Sequence, residues 1–185
     1  ALDACEEAGI LPEVYVEIRA FPDREDRFTV IIEDNGPGIV RAQVPNIFAK
    51  LLYGSKFHSL RQSRGQQGIG ISAAAMYGQL TTGKPCRVIS RTSSRSRPWY
   101  FELRVDARNR PERLVEEPRE WDKKHGTRIE IDMEARFQRG KRSVDSYLRQ
   151  TAIANPHVTV KYKDPEGNHF EFTAASRRKP ELPKE

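Results

Sequence analysis

Two glycine-bearing segments hold the residues with most chemistry to offer: Asp34-Asn35-Gly36-Pro37-Gly38-Ile39 and Arg64-Gly65-Gln66-Gln67-Gly68-Ile69-Gly70-Ile71. Asp34 follows Phe28, Val30 and Ile32, an alternation that predicts a half-buried strand. Its carboxylate therefore stands at a cleft edge, where a strand ends and a glycine-permitted turn begins. The second segment leads into Ile71-Ser72-Ala73-Ala74-Ala75-Met76-Tyr77, a good helix-forming run. Unblocked backbone N–H groups gather at such a helix N-terminus, and they attract phosphate. Alone, Asn35-Gly36 after a strand reads equally as a hairpin turn. In this order, the two segments read as a nucleotide site.

Two other nucleotide patterns fail on chemistry. Gly78-Gln79-Leu80-Thr81-Thr82-Gly83-Lys84 has P-loop spacing, but Pro85 stands where a P-loop needs a Ser or Thr hydroxyl and a helix N–H. This segment also follows a helix rather than a strand, so it reads as a helix-ending loop. The Rossmann order Gly-x-Gly-x-x-Gly is reversed here, which argues against a dinucleotide site.

An acidic acceptor after a strand, a helix, then Gly-x-x-Gly-x-Gly running into a second helix resembles the ATP-binding (Bergerat) fold of the GHKL superfamily. Phe48-Ala49-Lys50-Leu51-Leu52-Tyr53-Gly54-Ser55-Lys56, the Arg64–Gly70 run and the opening Ala1-Leu2-Asp3-Ala4-Cys5 narrow the resemblance. They are similar to the ATPase (B-type) subunits of archaeal type IIB DNA topoisomerases, the topoisomerase VI family, over residues 1–178. The absence of a phospho-acceptor histidine helix before the site fits histidine kinases poorly.

The resemblance implies a set of roles. Asp34 would accept from the adenine amine, and guanine, with a carbonyl at that edge, would be disfavoured. Gly36 and Gly38 would let the backbone approach the base. Gly65, Gly68 and Gly70 would let a loop close over the triphosphate, with N–H donors from Gln66, Gln67, Gly68, Ile69, Gly70 and Ile71, and Ser72 just beyond. Ser55 and Lys56 would orient and neutralise phosphate oxygens, although Lys56 also reads as a surface lysine. Thr127, in Gly126-Thr127 before the Ile129–Ile131 alternation, would reach the adenine pocket directly or through water. A threonine opening a strand is also common for β propensity alone.

By the same resemblance, the cofactors are ATP and Mg2+, and the parent function is ATP-gated passage of one DNA duplex through another. The partners would be DNA, a second copy of the chain on ATP binding, and the DNA-cutting A-type subunit of topoisomerase VI. The family's water-activating glutamate and magnesium-holding asparagine precede the Leu-Asp-Ala that stands here as Leu2-Asp3-Ala4. Both are expected before Ala1, so no catalytic or metal-binding residue is assigned within this sequence. The family's catalytic lysine is expected beyond Glu185. Another GHKL enzyme, such as a mismatch-repair ATPase, and a non-enzymatic basic DNA-binding module are the competing readings.

Composition agrees with one globular domain: 185 residues, 31% charged and 37% hydrophobic. Apolar runs are too short for a membrane helix and nothing resembles a signal peptide, so a cytoplasmic location is expected. Two cysteines and four scattered histidines predict neither a disulfide framework nor a zinc site. The net charge of +6 is compatible with nucleic acid. Arg87, Arg91, Arg95, Arg97, Arg104, Arg108, Arg110 and Arg113 form a basic middle, and Arg136, Arg139, Lys141 and Arg142 a second cluster. Each reads as a solvated face or as a phosphate-backbone contact.

The elements that must position these residues follow from periodicity and punctuation. Residues 1–8 read as a helix tail stopped by Gly9, followed by a strand through Val14, Val16 and Ile18 and a second ending at Asp34. Helices are predicted over 44–52, 71–79 and 144–155, the last with Val144, Leu148 and Ile153 inward. Strands are predicted over 87–92, 99–105 and 128–133, with a hairpin of 158–163 and 170–173. The expected fold is α+β, a two-layer α/β sandwich whose mixed, mainly antiparallel sheet carries helices on one face. Residues 1–175 form the ATP-binding domain in this reading, and 176–185 a linker.

Overall fold

The computed structural model describes residues 1–51, 69–106 and 108–178. The chain runs α1 (Leu2–Glu7), β1 (Glu13–Phe21), β2 (Arg24–Asp34), a 3-10 turn (Arg41–Gln43), α2 (Val44–Ala49) and α3 (Gly70–Thr82). It continues through β3 (Cys86–Arg91), β4 (Trp99–Val105), β5 (Pro111–Pro118), β6 (Gly126–Glu134), α4 (Val144–Ala154), β7 (Thr159–Lys163) and β8 (His169–Phe172). Among the described residues eight strands form one sheet in the order β5-β4-β3-β6-β2-β1-β7-β8. Every pairing is antiparallel except β1 with β7. The expected mixed, mainly antiparallel sheet with helices is thus the observed fold.

Register explains why the core is continuous. Phe101, Val88, Ile129, Ile32, Val16 and Tyr162 are successive cross-strand partners, a single apolar row on the helix-covered face. Val44, Phe48 and Ala75 from α2 and α3 pack on one end of that face, and Leu148 of α4 packs on the other. Gly78, inside α3, permits a close approach to β6. A Cβ there would stand 2.5 Å from Ile131 Cγ2 and 2.6 Å from the Asp132 carbonyl oxygen. Gln79 fastens the same helix to β4, donating to the Val105 carbonyl and accepting its N–H.

The opposite face is built from charge. Arg87 pairs with Asp132 and Glu130, Arg128 with Glu130 and Glu33, and Lys123 with Glu33. Ile31 lies among these strands with no exposed surface, consistent with the aliphatic stems of long charged side chains covering apolar backbone rows.

Several expectations change on contact with the fold. Val144 and Ile153 do not point inward: they are 36% and 74% exposed, while Leu148 is 8% exposed and Ala152 packs beside it. One residue turns a helix by about 100°, which takes Ile153 off the Leu148–Ala152 stripe. Val144 opens the helix, and its side chain tilts back beyond the first turn. The 71–79 helix runs on to Thr82, where Gly83 closes it at φ 70°. The 44–52 helix ends at Ala49, and residues 52–68 lie outside the described set. Strand β5 was not anticipated; its terminal prolines suit an edge position, where a missing N–H costs no ladder bond.

The basic middle also disperses. Arg87 faces the outer ladder, Arg104 donates to the Gly83 carbonyl, and Arg110 and Arg113 pair with Asp106 and Glu116. Arg91 donates to the carbonyls of Ser93, Ser94, Ser96 and Lys123, so it organises the β3–β4 loop.

Candidate functional site

One residue-pair further along the sheet than the apolar row, Trp99, Ser90, Thr127, Asp34, Val14 and Val160 are again cross-strand partners on the helix-covered face. The ends of β2 and β3 and the start of β6 therefore bring Asp34, Ser90 and Thr127 side by side. In such pairs the side chains stand about 5 Å apart.

The Asp34 carboxylate is held by one oxygen. Its Oδ1 accepts from the N–H of Gly36 at 2.9 Å and of Thr127 at 3.2 Å. Among the described residues Oδ2 receives no hydrogen bond, so a carboxylate oxygen remains for a ligand donor. Two glycines make the site's close approaches possible. A Cβ on Gly38 would fall 2.1 Å from the Arg91 carbonyl oxygen, and one on Gly126 would fall 2.1 Å from that of Asp34. Both also have positive φ, at 68° and 133°.

Three residues that sequence reasoning left aside complete the surroundings. His125 Nδ1 lies 2.8 Å from the Gly36 carbonyl oxygen, so that nitrogen carries the proton and donates. Asn35 clamps the turn to the α1–β1 connection, accepting from Glu13 N–H and donating to the Leu11 carbonyl. Cys5, fully buried on α1, contributes the thiol nearest Gly36, where an added Cβ would sit 3.2 Å from Sγ. Burial, and after it the Asp34 charge, push that thiol up to about 11, so it stays neutral at physiological pH.

A signal for Ser90 was present: a lone hydroxyl in the apolar run Val88-Ile89-Ser90 of a buried strand demands a partner. For His125 the signal was adjacency to Gly126-Thr127. Neither partner was legible, because Ser90 meets Ile39 and His125 meets Gly36 across 51 and 89 residues.

The structure places Ile69, Gly70, Ile71 and Ser72 at the head of α3, separate in sequence from the Asp34 cluster. Among the described residues no side chain caps this helix, so its first N–H groups are the expected anion-facing donors. Ser72 is buried and donates to the Ile69 carbonyl at 3.3 Å. The Ile71 side chain packs into the α2–α3 core cluster, leaving only its backbone for a ligand. Among the described residues nothing lies within 4 Å of where a Gly70 Cβ would stand. Ser55, Lys56, Gly65, Gln66, Gln67 and Gly68 lie outside the described residues.

A cleft of about 570 Å³ lies on the outer face of the sheet, among Tyr15, Glu33, Tyr100, Trp121, Lys123 and Arg128. It is not the candidate site, because its cations and carboxylates already neutralise one another.

A two-layer sandwich with a β2-end carboxylate, glycine turns and a helix start beyond them defines the class, a Bergerat-type α/β fold. A family model described as histidine kinase-, DNA gyrase B-, and HSP90-like ATPase matches residues 1–174, and the chain belongs to that family. The B-type subunit of type 2 DNA topoisomerase 6 from Methanosarcina mazei is 53% identical over 184 residues, covering 98% of this chain and 29% of that protein. The protein of the same name from Archaeoglobus fulgidus is 49% identical over 186 residues, covering 100% of this chain and 30% of that protein. The chain thus spans less than a third of these curated relatives. Among solved structures, the ATPase region of Saccharomyces cerevisiae topoisomerase II bound to ICRF-187 (dexrazoxane) aligns with a TM-score of 0.55 at 12% identity. That alignment covers 91% of this chain and 46% of that chain, a likeness of fold.

Proposed function

We propose that this chain is the ATP-binding domain of an ATP-dependent type IIB DNA topoisomerase, with residues 1–175 as the domain and 176–185 as a linker. The observation that carries the site is the Asp34 carboxylate, fixed through Oδ1 by two backbone N–H groups and, among the described residues, without a hydrogen bond at Oδ2. Adenine's exocyclic amine would donate to Oδ2. Gly36, Gly38 and Thr127 would frame the base, and the α3 N-terminus with Gly65–Ser72, Ser55 and Lys56 would receive the triphosphate. Among the described residues no cluster of His, Cys, Asp or Glu could hold a metal ion. Magnesium enters this proposal with the nucleotide, balancing triphosphate charge. The general base and metal ligand belong, in the resembled family, to a segment before Ala1.

The identity near one half across almost the whole chain supports topoisomerase over a mismatch-repair ATPase. In this proposal ATP draws two copies together, the dimer gates passage of one DNA duplex through another, and the A-type partner of the topoisomerase cuts the DNA. DNA as substrate implies a cytoplasmic location; among the described residues no helix is long and apolar enough to cross a membrane. Arg136, Lys141 and Arg142, exposed between β6 and α4, are the candidate phosphate contacts.

Calorimetric titration of the chain with ATP in magnesium buffer tests the nucleotide reading. Saturable binding that Asp34→Ala weakens tenfold or more is expected; undiminished binding in that variant would refute it. Phosphate release that rises with protein concentration, once the chain is extended at both ends, tests the dimer.

A further inference from the structure

Ser90 is 3% exposed and stands between the Asp34 turn and the start of β6. Its Oγ makes three contacts: with the Ile39 N–H at 2.8 Å, the Gly126 carbonyl oxygen at 3.1 Å and Thr127 Oγ1 at 3.0 Å. A serine hydroxyl has one proton and two lone pairs. Ile39 can only donate here and the Gly126 carbonyl can only accept. One assignment satisfies all three contacts: Ser90 accepts from Ile39, gives its proton to Gly126, and accepts the proton of Thr127.

The consequence falls on Thr127. With its proton committed to Ser90, its hydroxyl has only lone pairs left for a ligand. Asp34, its cross-strand partner on the same face, likewise offers only an acceptor. Two neighbouring acceptors match a group with two protons, such as an exocyclic amine, directly or through one ordered water. They repel a carbonyl oxygen in the same place.

We infer that Ser90 is a specificity-determining residue, which by fixing the proton of Thr127 makes the pocket select a 6-amino purine over a 6-oxo purine. This rests on the proposed adenine role of Asp34 and assigns a role to a residue that would not itself touch the base. Removing the Ser90 hydroxyl frees Thr127 to rotate and donate. A 6-oxo purine then gains a hydrogen bond that the unaltered protein denies it.

The test is competitive binding of ATP and inosine triphosphate to the full chain and to Ser90→Ala, Ser90→Thr and Thr127→Val, with melting curves for each. Ser90→Ala is expected to narrow the ATP preference by about five- to tenfold, the range set by one neutral hydrogen bond, mainly through tighter inosine triphosphate. Ser90→Thr keeps the hydroxyl and should restore the preference. Thr127→Val, which can neither donate nor accept, should narrow it through weaker ATP instead. This arm decides the matter if Ser90→Ala does not fold. An unchanged ATP preference in folded Ser90→Ala, or in Thr127→Val, overturns the inference. If Asp34→Ala still weakens ATP in that case, the adenine reading survives; an ineffective Asp34→Ala overturns both.

Discussion

Replacing Asp34 by asparagine separates what this carboxylate does for the fold from what it does for a ligand. Oδ1 satisfies the N–H groups of Gly36, which is buried, and of Thr127. Asparagine can keep both bonds by turning its carbonyl oxygen toward them. Its amide nitrogen then takes the place of Oδ2 and presents a donor to the adenine amine, donor against donor. The lost charged-acceptor bond costs roughly 1.5–3 kcal/mol, or about ten- to a hundredfold in ATP affinity. Inosine triphosphate, with an acceptor at that edge, should be bound better by Asp34→Asn than by the unaltered chain. Asp34→Ala should lose ATP similarly, but it should also lower the melting temperature, because two N–H groups lose their acceptor, at about 1–3 kcal/mol for each that stays dry. Calorimetry with both nucleotides and parallel melting curves give the readout. ATP affinity within twofold of the unaltered chain in a normally melting Asp34→Asn would refute the placement of the base.

Three further outcomes follow from the geometry. His125→Ala should weaken ATP by about fivefold through the loosened Gly36 peptide, and His125→Gln, which can still donate, should recover most of the loss; titration of both variants checks this. Gly70→Val should weaken ATP far more than adenosine without lowering the melting temperature, since nothing described lies within 4 Å of its Cβ position; equal losses for both ligands would make it a helix-start residue only. Asp164 bears on pH. Burial raises its carboxyl, but hydrogen bonds from Asn168 and Glu166 and the Arg139 charge outweigh this and hold it below the usual 3.8. A depressed carboxyl stabilises the fold above the unfolded value and loses that contribution as pH falls through the folded one. The gap in urea midpoint between the unaltered chain and Asp164→Asn should therefore be full near neutrality and close below about pH 4.

The legible part of this protein was local. Alternation at Val14, Val16 and Ile18 and at Phe28, Val30 and Ile32 announced β1 and β2, and Asp34 followed by Gly36 and Gly38 announced a turn that side chains would obstruct. These signals need only neighbouring residues, because period and glycine tolerance are properties of the backbone itself. Arg87 looked like part of a basic surface because charge counted along a chain carries no face. Placed on β3, it turns to the outer side of the sheet and meets Asp132, 45 residues away.

The sequence by itself determined the strand that ends in an acceptor, the glycines around it, the helix start rich in free N–H groups, and a kinship with one ATPase family. Tertiary structure alone decided which oxygen of Asp34 takes the two backbone N–H groups, where the Thr127 hydroxyl directs its proton, that His125 holds the turn, and that Ile153 faces solvent. The physical reason is that a hydrogen-bonding group has few protons and lone pairs, and how they are shared depends on strands that only the folded sheet brings together.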